Sequence, residues 1–363
     1  MTDSKLNRRN FLKTTAVGAA SISMLANTAT TAAEPLPLPA SFSKRHIIPL
    51  NHKWLYSEKS SLAAMQPAFN DKAWTKVTIP HTNKMLPVNG FDEAEYTFVS
   101  AYRRHFRLPA ELKGHRIFVD FGGVMTAAKV FINGKSLGEY KGGYTPFSFE
   151  LTNNISWTGD NVLAVEVDST ERKDIPPFGN LVDYLTFGGI YRDVNLRAVN
   201  DTYIGNVFAK PIDVLKPNRR LSVKLSLEGS LFAERRENAF EAHVEMLDGS
   251  TLLAQQKKMV LYQTKEIGSR VEDFTLENLG SIALWDLKSP KLYTVRVTLS
   301  QNGKTLDHYE TRIGFREAKF TPEGFYLNGK HVKLRGLNRH QTYPYVGQAM
   351  PERGQRKDAE IIK

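Results

Sequence analysis

Three adjacent polar side chains, those of Asn338, Arg339 and His340, place an amide, a cation and an imidazole side by side in the sequence. They follow Val332–Leu337, where apolar residues at positions 332, 334 and 337 predict a short buried strand. In α/β barrels the carboxyl ends of the strands carry the active-site groups, because the loops that follow them converge there. We therefore expect these three residues to belong to an active site at the end of a barrel strand.

The segments around this strand indicate the start of a barrel. A hairpin is predicted at Asn328-Gly329, the dipeptide that tight primed turns prefer. Residues Glu352 to Lys363 form a charged run of good helix formers, with no Gly or Pro at its end. An α/β barrel needs eight strand-helix units over about 250 residues. The sequence after Gly314 supplies one such unit.

The preceding sequence is predicted to form two β sandwiches. From Lys44 to about Arg197, short alternating stretches are separated by turn residues, and Asn133-Gly134 marks a hairpin. A second β series from Asp201 to Ile313 includes Tyr293–Leu299, which alternates cleanly before an Asn-Gly hairpin. No helical periodicity of useful length interrupts the first series. The second series has the size and strand spacing of an immunoglobulin-like sandwich without its cysteines.

These segments carry a resemblance to a known family. GLNRHQTYP, preceded by GFREAKFTPEGFYLNGKHVKLR, resembles the opening strand of the catalytic barrel in glycoside hydrolase family 2, which contains β-galactosidases and β-glucuronidases. Pieces of the first series, including GGYTPFSFELT and GGIYRDVNL, resemble the family's jelly-roll sugar-binding domain, and LWDLKSPKLYTVRVTL resembles the end of its second domain. The resemblance implies a jelly-roll domain over 34–200, an immunoglobulin-like domain over 201–313, and the first strand and helix of a TIM (β/α)8 barrel over 314–363.

The family's catalytic pair is not found in this sequence. A retaining glycosidase uses two carboxyl groups about 5–5.5 Å apart, one as acid and base and one as nucleophile. The resemblance implies glutamates on later barrel strands, the acid/base being preceded by asparagine, and no Asn-Glu dipeptide occurs among the 363 residues. We therefore assign no catalytic residue and expect the 363-residue chain itself to be inactive.

The resemblance does assign residues to sugar binding. Asp183 stands six residues before Gly189 in DYLTFGGIYRDV, the spacing of a family aspartate that reaches from the jelly roll to the sugar and helps some relatives hold sodium. The alternative for Asp183 is a turn-forming loop residue. His340 matches the family's strand-end histidine, which binds sugar hydroxyls, with Asn338 beside it. Arg339 is expected to hold a neighbouring carboxylate rather than to touch substrate.

The N-terminus is predicted to direct export. Asn7–Lys13, with Arg8-Arg9, resembles a twin-arginine signal, and Thr14–Ala33 follows without a charged side chain. Removal of residues 1–33 lowers the net charge from +11 to +8. The alternative, a retained membrane span, needs about 20 predominantly apolar residues, whereas this run is rich in Ala, Thr and Ser. We expect a periplasmic or extracellular protein without a membrane anchor after cleavage.

Composition excludes several other classes. The sequence has no cysteine, which rules out disulfides, zinc-thiolate sites and thiol nucleophiles. Its basic residues are scattered, so no nucleic-acid footprint is predicted. No HExxH or GxGxxG motif is present, and the GxSxG match at Gly134–Gly138 starts in the predicted Asn133-Gly134 hairpin rather than in the strand-to-helix turn of a nucleophile elbow. Metalloprotease, dinucleotide-enzyme and serine-hydrolase functions are therefore without support.

The leading hypothesis is therefore part of an exported retaining β-galactosidase that acts on a β-linked glycoside. β-Glucuronidase and β-mannosidase are alternatives within the family, although Arg339-His340-Gln341 lacks the Lys-His-Glu run of many β-glucuronidases. A secreted, non-catalytic protein that binds carbohydrate or a partner is the alternative from another class. The resemblance implies no cofactor in this chain. For the full-length enzyme it leaves sodium, magnesium and homo-oligomerisation open.

Overall fold

The computed structural model describes residues 45–87, 89–176, 178, 184–230, 239–261 and 267–363. The twin-arginine segment and the predicted cleavage region lie outside these ranges, and so does Asp183. Within them the chain is mainly β, with 20 strands and one α-helix. The predicted mainly-β fold class is confirmed.

The first sandwich contains two antiparallel sheets. One has the strand order β1-β10-β5-β8 and the other has the order β3-β2-β4-β9-β6-β7. The strands are β1 His46–Pro49, β2 Trp54–Ser57, β3 Thr75–Val77, β4 Val99–Phe106, β5 Arg116–Phe121, β6 Ala127–Ile132, β7 Lys135–Lys141, β8 Phe147–Glu150, β9 Asn161–Asp168 and β10 Val194–Val199.

Packing explains the residue patterns of these strands. Alternate residues of β9, including Leu163 and Val165, are fully buried in the core between the two sheets. The opposite face of β4 and β9 is covered as well, because Ala64 and Met65 pack on Ala164 there. With both faces covered, the first five residues of β9 are all buried, so this strand is an uninterrupted buried run rather than an alternating one.

The second sandwich has its own core. Its seven strands form the sheets β11-β12-β15 and β14-β13-β16-β17. Alternating apolar residues such as Leu221, Val223 and Val295 are fully buried between the two sheets. The strands are β11 Thr202–Ile212, β12 Arg220–Ser230, β13 Phe240–Asp248, β14 Thr251–Val260, β15 Ile267–Leu276, β16 Tyr293–Gln301 and β17 Lys304–Ile313.

All three predicted Asn-Gly hairpins are present. The φ angles are 50° and 82° at Asn133-Gly134, 50° and 74° at Asn302-Gly303, and 51° and 74° at Asn328-Gly329. Positive φ at both central residues is what a type I′ turn requires, and Asn and Gly tolerate it best. The turns join β6 to β7, β16 to β17, and β19 to β20.

The C-terminal part contains a small sheet, an extended segment and a helix. Its elements are β18 Ala318–Thr321, β19 Gly324–Leu327, β20 Lys330–His331 and α1 Glu352–Ile362. The helix was predicted. The buried strand predicted over Val332–Leu337 is wrong: this segment is in no sheet, and Leu334 and Leu337 are 62% and 75% exposed. A barrel strand is buried only by neighbouring strands and helices. Here only the start of the segment meets a strand, where the Val332 N–H donates to the carbonyl oxygen of Phe325 in β19 at 2.8 Å.

Candidate functional site

A cavity of about 520 Å³ lies where the first sandwich meets the C-terminal segment. We call it the His340 cavity. The loop after β7 and the loop before β10 contribute one aromatic residue each, and the segment between β20 and α1 contributes the rest. The lining residues are Tyr144, Tyr184, Asn338, Arg339, His340, Gln341, Thr342 and Gln348. The structure therefore brings together three of the four residues predicted from the sequence.

His340 faces an aromatic pair in this cavity. Its imidazole meets the ring of Tyr184 edge to face, with centroids 6.0 Å apart and planes at 85°. The Tyr144 hydroxyl donates a hydrogen bond to the Tyr184 hydroxyl at 3.0 Å. Burial raises the pKa of Tyr144 above its ordinary value, and the hydrogen bond to Tyr184 adds to this effect, so the Tyr144 hydroxyl is protonated at neutral pH. The cavity thus presents phenol and imidazole groups beside one another.

Arg339 is tied to the helix behind the cavity. Its Nη2 donates hydrogen bonds to Asp358 Oδ2 and to Gln355 Oε1, each at 2.7 Å. Tyr343 also donates its hydroxyl to Asp358 and accepts from Arg339. The hydrogen bonds from Tyr343 and then from Arg339 lower the pKa of Asp358. Arg339 therefore binds a carboxylate of α1. Because Asn338 and His340 are its neighbours in the chain, this contact also positions their backbone.

Gln348 joins the C-terminal segment to the first sandwich. Its side chain is only 4% exposed, and its Nε2 donates to the Leu185 carbonyl oxygen at 2.9 Å. A side chain on the neighbouring Gly347 would place Cβ 2.7 Å from Cγ of Phe187, and the φ of 53° there also favours glycine. Gly347 and Gln348 therefore allow the C-terminal segment to pack closely against the first sandwich beside the cavity.

The sequence reasoning missed Tyr144, Tyr184 and Gln348. Tyr184 directly follows the predicted Asp183, so the same stretch of sequence could have suggested it. Tyr144 lies in GGYTPF, part of a stretch that resembles the family's sugar-binding domain, but no role in the site was predicted for it. Asp183 itself lies outside the described residues, and its role in sugar binding stays a prediction.

The chemistry of the cavity is suited to binding. Its described lining offers imidazole, amide, guanidinium and hydroxyl groups, all of which exchange hydrogen bonds with sugar hydroxyls, but it offers no carboxylate. Within the described ranges no three His, Asp or Glu side chains are grouped so that they could hold a metal ion. The described lining of this cavity thus offers groups that bind a sugar and no carboxyl group.

Comparison with known proteins identifies the family. The family model "Glycosyl hydrolases family 2, sugar binding domain" matches residues 40–199, and "Glycosyl hydrolases family 2" matches 202–316. The chain is 41% identical over 320 residues to a β-galactosidase of Thermoanaerobacterium thermosulfurigenes, covering 88% of this chain and 44% of that protein. A β-galactosidase of Thermoanaerobacter pseudethanolicus is 41% identical over 322 residues, with coverage of 88% and 42%.

A solved structure agrees with these sequence matches. The crystal structure of a Bacteroides uniformis β-glucuronidase superposes with a TM-score of 0.76 at 30% identity, covering 88% of this chain and 38% of that one. The chain spans less than half the length of the relatives it matches. On the combined sequence and structural similarity, the chain belongs to glycosyl hydrolase family 2.

Proposed function

We propose that the chain forms the sugar-binding and substrate-positioning part of a retaining β-galactosidase. The observation that carries the proposal is the His340 cavity, where the loop residue Tyr184 and the segment containing Asn338 and His340 face each other. The identity of 41% to two β-galactosidases supports galactose as the sugar.

In this proposal the cavity orients one pyranose ring. The His340 imidazole and the Asn338 amide exchange hydrogen bonds with ring hydroxyls, while the Tyr184 ring packs on the apolar face of the sugar. Asp183, which precedes Tyr184 in the sequence, accepts a further hydrogen bond from a sugar hydroxyl. The acid and the nucleophile are glutamates in the part of the relatives' length that this chain does not match.

The proposed binding step is carried by side chains of the chain itself. Sodium or magnesium would need a group of oxygen ligands. Among the described residues no three His, Asp or Glu side chains are grouped in this way, and Asp183, the one candidate sodium ligand, lies outside them. We therefore assign to the described part of the chain only binding and orientation.

β-Glucuronidase is the second candidate, because the Bacteroides uniformis enzyme shares this fold. A glucuronide carries a carboxylate, which is bound best by an unpaired cation. The one cation among the described lining residues is Arg339, and it already binds Asp358. This pairing favours a neutral sugar over an anionic one. A mannoside is also neutral, so this pairing does not separate it from a galactoside.

His340→Ala should weaken binding of methyl β-galactopyranoside to the 363-residue chain. A hydrogen bond to an uncharged hydroxyl contributes about 0.5–1.5 kcal/mol, so we expect a loss of roughly three- to tenfold in affinity. Isothermal titration calorimetry or NMR titration measures the change. In a full-length enzyme the same substitution should lower kcat more than it raises KM, since the contact strengthens as the ring distorts.

The matched control is His52→Ala, which removes an exposed histidine that does not line the cavity. Its affinity should equal that of the wild type. Equal affinity of the His340→Ala and His52→Ala proteins would place the sugar elsewhere. Tighter binding of methyl β-glucuronide than of the galactoside would favour the second candidate.

Export by the twin-arginine route belongs to the same proposal. The described residues contain no helix long and apolar enough to cross a membrane. Changing Arg8 and Arg9 together to Lys should leave the precursor in the cytoplasm, because the route reads the arginine pair. Cell fractionation and N-terminal sequencing of the exported protein, expected to start near Glu34, test this. Export of the double variant at the wild-type level would indicate an ordinary secretory signal instead.

A further inference from the structure

We propose a second carbohydrate site on the first sandwich, in a cavity beside the edge strand β3 that takes a neutral pyranoside. We call it the Trp74 cavity. Its volume is about 490 Å³, within the range of small-molecule sites. It shares no lining residue with the His340 cavity. The residues that matter to the argument are Tyr56, Glu58, Trp74, His81, Asn83 and Lys84.

An indole ring forms one wall of this cavity. Trp74 is half-buried and precedes β3, and Phe69 packs edge-on against it with centroids 5.6 Å apart and planes at 63°. This contact holds the ring in place, so little side-chain freedom remains to be lost when a ligand binds. A pyranose has an apolar C–H face that packs on an aromatic surface, and an edge of hydroxyls that needs polar partners. Trp74 supplies the surface.

A neutral imidazole supplies one of the polar partners. The ring of His81 lies against Tyr56 with centroids 4.8 Å apart, and its Nδ1 is 2.9 Å from the Tyr102 hydroxyl. Burial lowers the pKa of His81 to about 4, so the ring is uncharged at neutral pH. Because Nδ1 is engaged with Tyr102, Nε2 is the nitrogen that can bond a sugar hydroxyl.

A buried amide adds a second polar group. Asn83 is 2% exposed, and its Nδ2 donates to the Tyr96 carbonyl oxygen at 2.6 Å. Its Oδ1 has no hydrogen-bond partner among the described residues. Buried polar atoms without a partner are rare in folded proteins. A hydroxyl brought into the cavity could provide the missing donor.

The charges in the lining cancel. Lys84 Nζ and Glu58 Oε1 form an ion pair at 2.9 Å, with side chains 35% and 54% exposed. These are the charged residues that line the cavity, and they leave no net charge to attract an anion. The carboxylate can still accept a hydrogen bond from a hydroxyl. The lining therefore favours an uncharged sugar over a uronate or a phosphate.

The test uses the 363-residue chain with His340→Ala as background, which weakens sugar binding at the His340 cavity equally in every variant, and the Trp74 signal then reports binding at the Trp74 cavity. The protein is labelled at its four tryptophans and titrated with methyl β-galactopyranoside and lactose, following the indole N–H signals by NMR. We expect the Trp74 signal, identified by its absence in Trp74→Phe, to shift saturably at millimolar sugar. The signals of Trp54 and Trp285 should stay in place.

Calorimetry with the same sugars gives the affinities of matched variants. Trp74→Phe should weaken binding about tenfold, and the rim variant Ala73→Arg, at an exposed position, should block the cavity without disturbing the core. Trp157→Phe, at a half-buried tryptophan outside the cavity, should bind as the background protein does.

Three outcomes would overturn the site. These are an unmoved Trp74 signal throughout the titration, equal affinity of Ala73→Arg and background, and binding of methyl β-glucuronide as tight as that of the galactoside. Because every variant carries His340→Ala, the second site can fail while the proposed function stands, and the reverse also holds.

Discussion

The purified 363-residue chain should hydrolyse no β-galactoside, β-glucuronide or β-mannoside above the rate in buffer. The described lining of the His340 cavity contains no carboxylate, and the nearby Asp358 is held by Arg339 and Tyr343. General acid catalysis alone contributes about 10²–10⁴-fold, and without a nucleophile the covalent route is lost entirely. A panel of p-nitrophenyl glycosides measures the result.

This assay needs two controls, one showing that the protein is folded and one showing that the substrates are hydrolysed by an active enzyme. A cooperative thermal transition and β-type circular dichroism establish the first. The β-galactosidase of Thermoanaerobacterium thermosulfurigenes, assayed in parallel, establishes the second for the β-galactoside, and a β-glucuronidase and a β-mannosidase do so for the other two substrates. Turnover that stays with the chain through a further chromatography step would contradict the predicted inactivity. It would require a pair of catalytic carboxyl groups elsewhere on the chain.

Much of the fold could be predicted because its signals are local. Alternation in Tyr293–Leu299 specifies which face of β16 is buried, whatever strand lies beside it. Asn133-Gly134 determines the turn between β6 and β7 through its own φ angles. Such features need only a few consecutive residues, and they were predicted correctly.

Features that depend on distant segments could not be derived in this way. Val332–Leu337 has the residues of a buried strand, but burial depends on neighbours that the described chain does not provide. Tyr144 and Tyr184 reach His340 across more than 150 residues of sequence. Hydrophobic periodicity does not predict contacts between residues so far apart in the sequence. The resemblance identified the cluster around His340, while the aromatic groups facing it emerged only from the structure.

A buried ion pair in the first sandwich also joins residues that are distant in the sequence. Arg103 of β4 is completely buried, and its Nε donates to Asp71 Oδ2 at 2.6 Å. Its Nη1 donates to the carbonyl oxygens of Ala64 and Gln66, and His105 Nε2 lies 2.7 Å from the same Asp71 oxygen. The guanidinium thus joins β4 to the segment that covers its outer face.

Asp71→Ala should destabilise the first sandwich by about 3–5 kcal/mol at pH 7, because the buried Arg103 would keep its charge and lose its counter-ion. Urea unfolding, followed by the fluorescence of the buried Trp54, measures the free energy. The matched control is Asp174→Ala. Asp174 is also bound by two cations, Lys141 and Arg172, but its side chain is 48% exposed. At an exposed site water solvates the two cations once the carboxylate is removed, so Asp174→Ala should lower the free energy of unfolding much less.

The pH dependence of this difference provides a separate check. Burial alone would raise the pKa of Asp71, but hydrogen bonds from His105 and Arg103 and their charges outweigh it and lower the pKa. A carboxyl whose pKa is lower in the folded state contributes stability above its unfolded pKa of about 3.9, and loses it as the pH falls through the folded value. The difference in the free energy of unfolding between wild type and Asp71→Ala should therefore be present at neutral pH and narrow below about pH 4. Two results would show that Asp71 does not neutralise Arg103. One is a loss of unfolding free energy in Asp71→Ala that is no larger than the loss in Asp174→Ala, and the other is a loss that increases at acid pH.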